Sequence, residues 1–186
     1  MTQPPPREPA AHVERALCVL AHPDDVDFGS AGTIAGWTAA GTEVTYCIVT
    51  DGDAGGFDET PRDQMGPLRQ AEQRAAAAAV GVTDVRFLGY PDARNPFAFP
   101  ELLGEERLDA WTVSEVWLGA SPRADHAVDV TDLVELKFAA LKSHVTQVGH
   151  MSDLETFVTA WMTHTGQQFG LPEGRLAEAF QVVHTA

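Results

Sequence analysis

The sequence predicts an α/β fold, Rossmann-like, with a mostly parallel sheet flanked by helices. Apolar, β-branched runs at 16–20, 42–50 and 84–88 alternate with segments patterned as helices. The first two runs end in polar loops, as in strand–loop–helix units, whose crossovers make neighbouring strands parallel. The chain has 186 residues, 44% of them hydrophobic and 21% charged, which suits one globular domain with a core of its own.

The elements follow in order. Residues 1–13 carry Pro4, Pro5, Pro6 and Pro9 without an apolar run and read as a disordered tail, leaving 14–186 as a single domain. The run 16–20 is short and continuously apolar, the pattern of a strand buried on both faces. A polar loop, 22–27, leads to small residues at 29–40 that form a helix stopped by Gly41. After the strand at 42–50, the stretch 51–66 is dense in Gly, Asp and Pro and reads as a long loop. Pro67 in a first turn, an alanine run and Gly81 past the end define a helix over 67–80. Beyond the strand at 84–88 the rhythm fails, and 89–111 offers one short helix at about 100–108. Strands are expected at 114–118, 127–130 and 175–184. Helices are expected from Thr131 or Asp132 to His144, and over 153–165 after Ser152.

Twelve basic against 27 acidic residues give a net charge of −15. Such a surface repels phosphate backbones and anionic membranes, so nucleic acid is not an expected partner; solubility is the plain reading of the charge. No apolar stretch reaches the ~20 residues of a membrane span. The N-terminus lacks a signal-peptide pattern, and a cytoplasmic location is expected. Cys18 and Cys47 lie in apolar runs and read as buried thiols.

The chemistry concentrates in His22-Pro23-Asp24-Asp25, at the carboxyl end of the first strand, where open parallel sheets bind ligands. One imidazole and two carboxylates are good donors for a divalent cation, and Pro23 stiffens the loop. The spacing lets His22 and Asp25 share a metal while Asp24 faces its water. Read by itself, the same spacing fits an aspartate capping the next helix with His22 filling a turn. A dinucleotide site is disfavoured, since carboxylates stand where a pyrophosphate would sit and no Gly-x-Gly-x-x-Gly is present.

Ala21-His22-Pro23-Asp24-Asp25 with Gly29 and Gly32-Thr33-Ile34 resembles the signature of the LmbE/PIG-L family of zinc-dependent N-deacetylases. The likeness continues in 49–56, in Arg69 with Glu72, in Leu88-Gly89 and in Ala177-Glu178-Ala179-Phe180. It implies a hydrolase that removes an acetyl group from an N-acetylated sugar or glycoconjugate. It assigns His22 and Asp25 as metal ligands, Asp24 as general base, and Arg69 and Asp92 as substrate contacts. Zinc is the implied cofactor, with iron or another divalent ion able to suit the same donors. Glu72 is placed one turn beyond Arg69 to hold its guanidinium; apart from the family, the two read as a surface helix pair.

The family's second motif, His-Pro-Asp-His, supplies a third ligand and an oxyanion-steadying histidine, and it does not occur here. Tyr90-Pro91-Asp92 runs directly into 93–96, at the point where the secondary-structure rhythm breaks. An internal deletion of a central sheet segment is the hypothesis that joins these two facts. It predicts weak metal binding and uncovered apolar sheet faces, favouring instability or a homo-oligomer. His126 and His144 stand as further candidates: the first as a substitute ligand, the second as lining the site or meeting a helix dipole. The rival to an active deacetylase is a remnant of the family that binds a sugar or protein partner without turnover.

Overall fold

The structure is a computed structural model, and it describes residues 13–55, 60–90, 92 and 113–185. The tail over 1–12 and the short helix expected at 100–108 lie outside these residues.

The first half is a β–α–β–α–β unit: β1 Arg15–Leu20, α1 Asp25–Ala39, β2 Glu43–Thr50, α2 Arg62–Ala79 and β3 Asp84–Tyr90. Its strands form a parallel sheet in the order β1-β2-β3, with Arg15 opposite Glu43 and Thr45 opposite Asp84. On one face Val44, Tyr46, Ile48 and Val85 pack on Ile34, Ala35, Ala76 and Ala77 of the two helices and on Val80 just past α2. Ala16, Cys18 and Leu20 point to that same core. Alternation therefore turns Leu17 and Val19 to the opposite face, where they are 65% and 63% exposed, with Leu88 exposed too. β1 is therefore covered on one face among the described residues, and not on both as its continuous apolar run suggests, because its residues alternate across the sheet.

The second half begins with β4 Glu115–Gly119 and β5 His126–Asp129, continues through α3 Val134–Ser143, the short α4 Val145–Val148 and α5 Leu154–Gln168, and closes on β6 Ala177–His184. Its strands make a separate antiparallel sheet, β4-β6-β5. α3, α4 and α5 enclose a second apolar cluster around Val130, Phe138, Leu141, Val158 and Met162. The halves meet along α1 and where α2 packs on α3. Trp37 stands edge-on to Trp117 of β4 at 5.3 Å, and Gly32 lets Val130 approach so closely that a Cβ there would lie 2.7 Å from Val130 Cβ.

Three helix starts differ from the sequence reading, that of α3 among them, since a 3-10 turn over Thr131–Leu133 precedes it and the α-helix begins at Val134. α1 begins at Asp25, not at 29, because the carbonyl of Asp24 already accepts the amides of Asp27 (2.9 Å) and Phe28 (3.2 Å). α2 begins at Arg62, so Pro67 lies inside it. The extra turn closes on the carbonyl of Pro61 and is anchored by buried Met65.

Two buried charges lock α1 to the second half. Lys137 Nζ of α3 donates to the carbonyls of Asp27 (3.1 Å) and Phe28 (2.6 Å) and to Glu178 Oε1 of β6 (2.8 Å). Glu178 also accepts from the amides of Gly32 (3.0 Å) and Thr33 (2.8 Å) and from the Thr33 hydroxyl (2.5 Å). One turn of α1 is thus gripped at its carbonyls by a cation and at its amides by an anion.

Candidate active site

β1 delivers His22 to the carboxyl edge of the parallel sheet, and the chain turns at once into α1. The turn requires Asp24 at φ 86°, a left-handed backbone that costs a non-glycine residue about 1–2 kcal/mol. Several contacts hold it there. The Asp24 amide donates to Gln73 Oε1 at 2.7 Å, and its carboxylate pairs with Arg69 Nη2 at 3.0 Å. The same Nη2 donates to the carbonyl of Pro23 at 2.6 Å. Asp24 makes no side-chain cap to α1, so the capping reading of the loop does not hold for it.

The carboxylate of Asp25 turns back. Its Oδ2 accepts the amide of His22 at 2.9 Å and lies 3.4 Å from His22 Nδ1. The other ring nitrogen, His22 Nε2, meets Asp92 Oδ1 at 3.0 Å. Asp92 is itself placed by its amide, which donates to Asp53 Oδ1 at 2.6 Å. Burial pushes the Asp24 carboxyl up to about 6, against the pull of the Arg69 and His144 charges.

Arg69 explains the glycines of the second loop. Its Nη1 donates to the carbonyl of Gly52 at 2.9 Å. A Cβ at Gly52 would lie 2.2 Å from that nitrogen, and one at Gly55 2.7 Å from it. The guanidinium is threaded through the loop after β2 to reach the loop after β1. With Arg69 only 3% exposed and Glu72 buried beside it, the surface-pair reading fails. Glu72 does not hold the guanidinium either: its carboxylate accepts the amide (2.8 Å) and hydroxyl (2.5 Å) of Thr146.

The structure brings together His22, Asp24, Asp25, Arg69 and Asp92. His144 stands one layer behind, fully buried, with Nε2 2.8 Å from Asp27 Oδ2. Its partner is this carboxylate and not a helix terminus alone. His126 is elsewhere, buried on β5 with its ring edge-on to Trp117 at 4.7 Å. Among the described residues no three His, Cys, Asp or Glu side chains gather as a cation site, so the substitute-ligand reading of His126 gains no support. Asp27 and Gln73 were not singled out in the sequence. The available signal was an acid and an amide on the core-facing sides of helices, Asp27 beside Val26 and Gln73 between Ala71 and Ala76.

The family described as PIG-L, GlcNAc-PI de-N-acetylase, matches residues 17–142, more than half of the chain and all of this loop cluster. The chain belongs to the PIG-L family. Relatives agree. A diacetylchitobiose deacetylase of Thermococcus kodakarensis is 29% identical over 126 residues, 64% of this chain and 47% of that one. A 1D-myo-inositol 2-acetamido-2-deoxy-alpha-D-glucopyranoside deacetylase of Actinosynnema mirum is 46% identical over 83 residues, 40% of this chain and 29% of that one. The solved N,N'-diacetylchitobiose deacetylase of Pyrococcus horikoshii superposes with a TM-score of 0.77 at 23% identity, covering 92% of this chain and 84% of that chain; at this identity the likeness carries the fold. The chain spans less than half the length of these two curated relatives.

The donors can be tested against the cation that the PIG-L resemblance implies. The 3.4 Å between His22 Nδ1 and Asp25 Oδ2 is longer than a good hydrogen bond. It matches the edge of about 3.3 Å that a tetrahedral zinc site makes with bonds of ~2.05 Å. The pair fits as two ligands. Asp92 reaches the far nitrogen of the ring, where it orients the imidazole as outer carboxylates do.

Proposed function

We propose that this PIG-L family member is a metal-dependent hydrolase that removes an acetyl group from the nitrogen of an N-acetylated sugar. The observation that carries this reading is the left-handed Asp24, whose carboxylate is held by Arg69 beside the paired His22 and Asp25. His22 and Asp25 would hold the ion, with zinc the first choice from the donor types. A bound zinc ion supplies Lewis acidity, in the form of a more acidic water and a polarised carbonyl.

The chain's own residues do the rest. Asp24 takes the proton of the attacking water and returns it to the departing amine nitrogen, so that water adds across the amide and leaves acetate and a free amine. Arg69 fixes that carboxylate, acting on Asp24 where the resemblance implied contact with substrate. Asp92 orients the His22 ring and is the acid assigned to a sugar hydroxyl.

A second reading is a family member that binds a sugar or a partner without turnover. It is favoured by the lack of a third cation donor among the described residues and of a His-Pro-Asp-His motif in the sequence. Metal content after zinc supplementation, with hydrolysis of an N-acetylglucosaminide, separates the two. The first expects about one ion per chain, measurable amine release, and a loss of ~10²–10⁴ in turnover in Asp24→Asn with metal content unchanged. No retained ion and no amine release would overturn the first, and binding of the same N-acetylglucosaminide without hydrolysis would then establish the second. Equal turnover in Asp24→Asn would remove Asp24 from the mechanism.

A further inference from the structure

Asp24 keeps a backbone conformation that an aspartate adopts only under constraint, so whatever constrains it shares in its function. The constraint on its side chain is Arg69. The constraint on its backbone is Gln73, fully buried on α2, whose Oε1 accepts the Asp24 amide at 2.7 Å. A primary amide can flip, and the flipped form would set an N–H donor against the Asp24 N–H. The far end of Gln73 prevents this, because Nε2 donates to Asp27 Oδ2 at 2.8 Å. The same Oδ2 lies 2.8 Å from His144 Nε2, which must be the donor, since a carboxylate oxygen only accepts.

All three side chains are closed from solvent. Asp27 Oδ1 and His144 Nδ1 have no hydrogen-bond partner among the described residues. The Asp27 carboxylate is therefore engaged only on the side that faces Gln73 and His144.

We propose that Gln73, Asp27 and His144 form a positioning relay for the general base. His144 orients Asp27, Asp27 sets the amide of Gln73, and Gln73 holds the Asp24 backbone in its left-handed turn. This rests on the reading of Asp24 as the base. The relay reaches from the α3–α4 junction to the catalytic loop, and it aims the carboxylate without touching substrate.

The test uses the full chain loaded with zinc. Gln73→Met keeps the side chain's length and removes both hydrogen bonds. The expected result is a kcat about 10- to 100-fold lower, with KM within about twofold and metal content unchanged. In parallel, the Asp24 amide should exchange with deuterium at least ~10-fold faster. Gln73→Glu should also be slow, since it sets two carboxylates against each other. Reversing the polarity, with Gln73→Glu and Asp27→Asn together, lets the asparagine donate to both the glutamate and a neutral His144. That double variant should return kcat and amide protection to within about threefold of the parent. Should Gln73→Met not fold, the contrast between Gln73→Glu and the double variant decides. Unchanged kcat and unchanged Asp24 exchange in Gln73→Met, or no recovery in the double variant, would overturn the relay. A parent chain without turnover defeats the reading of Asp24 as a base, while the exchange measurement still decides whether the relay holds the turn.

Discussion

Replacing Lys137 with methionine removes a cation whose side chain is wholly buried, and the structure fixes what is left behind. Glu178 loses the 2.8 Å partner of its Oε1 but keeps the amides of Gly32 and Thr33 and the Thr33 hydroxyl. The carbonyls of Asp27 and Phe28 lose the lysine as well, and the Gly32 amide that follows Phe28 in the helix ladder is already engaged by Glu178. Breaking a buried pair by removing one partner costs about 3–5 kcal/mol, and the surviving donors on Glu178 place Lys137→Met near ~3 kcal/mol. Glu178→Gln is worse. Its NH₂ must face either Lys137 Nζ and the Gly32 amide or the Thr33 amide, donor against donor, for about 4–5 kcal/mol. At ~2–4 °C per kcal/mol for a chain of this size, the melting temperature should fall by roughly 6–12 °C in Lys137→Met. Urea and thermal melts followed by circular dichroism at pH 7 give both numbers. The double variant should lose clearly less than the two single losses combined. A loss under ~1 kcal/mol in Lys137→Met, or strict additivity, would refute the account of the pair as a coupled clamp.

Two further outcomes are expected. Gly52→Ala combines a left-handed backbone (φ 64°) with a Cβ 2.2 Å from Arg69 Nη1. It should lower stability by at least about 1–2 kcal/mol and lower turnover as the guanidinium is pushed off Asp24, checked by melts and by amine release. Cys18, whose thiol burial pushes up to about 12, should resist iodoacetamide at pH 8 in the native protein and react after denaturation; peptide mass mapping reads this, and rapid native labelling would contradict it.

The parallel half of the fold was legible because its signals are local. Apolar runs gave β1, β2 and β3, and the alanine run with Gly81 gave the end of α2. The start of α1 was hidden because its first turn is built from Asp25 and Asp27, whose side chains answer to His22 and His144 and not to helix propensity. The start of α2 was hidden by Pro67, which the helix carries in its second turn. In the site, spacing indicated that His22 and Asp25 turn together, and the pair does stand at 3.4 Å. It could not indicate that Asp24 would meet Arg69, since that contact joins the loop after β1 to α2 and depends on the room left by Gly52 and Gly55. Glu178 was visible only as part of the Ala177–Phe180 likeness to the family, and Lys137 only as a charge inside an apolar stretch. Their partners lie 145 and 110 positions away, beyond the reach of any periodicity.

That separation has a consequence during synthesis. The β–α–β–α–β unit can collapse as soon as β3 has emerged, because its contacts are between neighbours in the chain. The turn of α1 that leads out of the His22–Asp25 loop waits for β6, whose Glu178 lies 146 residues beyond Gly32. At ~5–20 residues per second, the interval is on the order of ten seconds. Through that time the nascent chain holds a formed parallel sheet and an unset His22–Asp25 loop. Activity should therefore appear late and all at once, when the last strand docks. A ribosome stalled before β6 would display a chain competent to collapse but not to catalyse, the kind of species that chaperones hold.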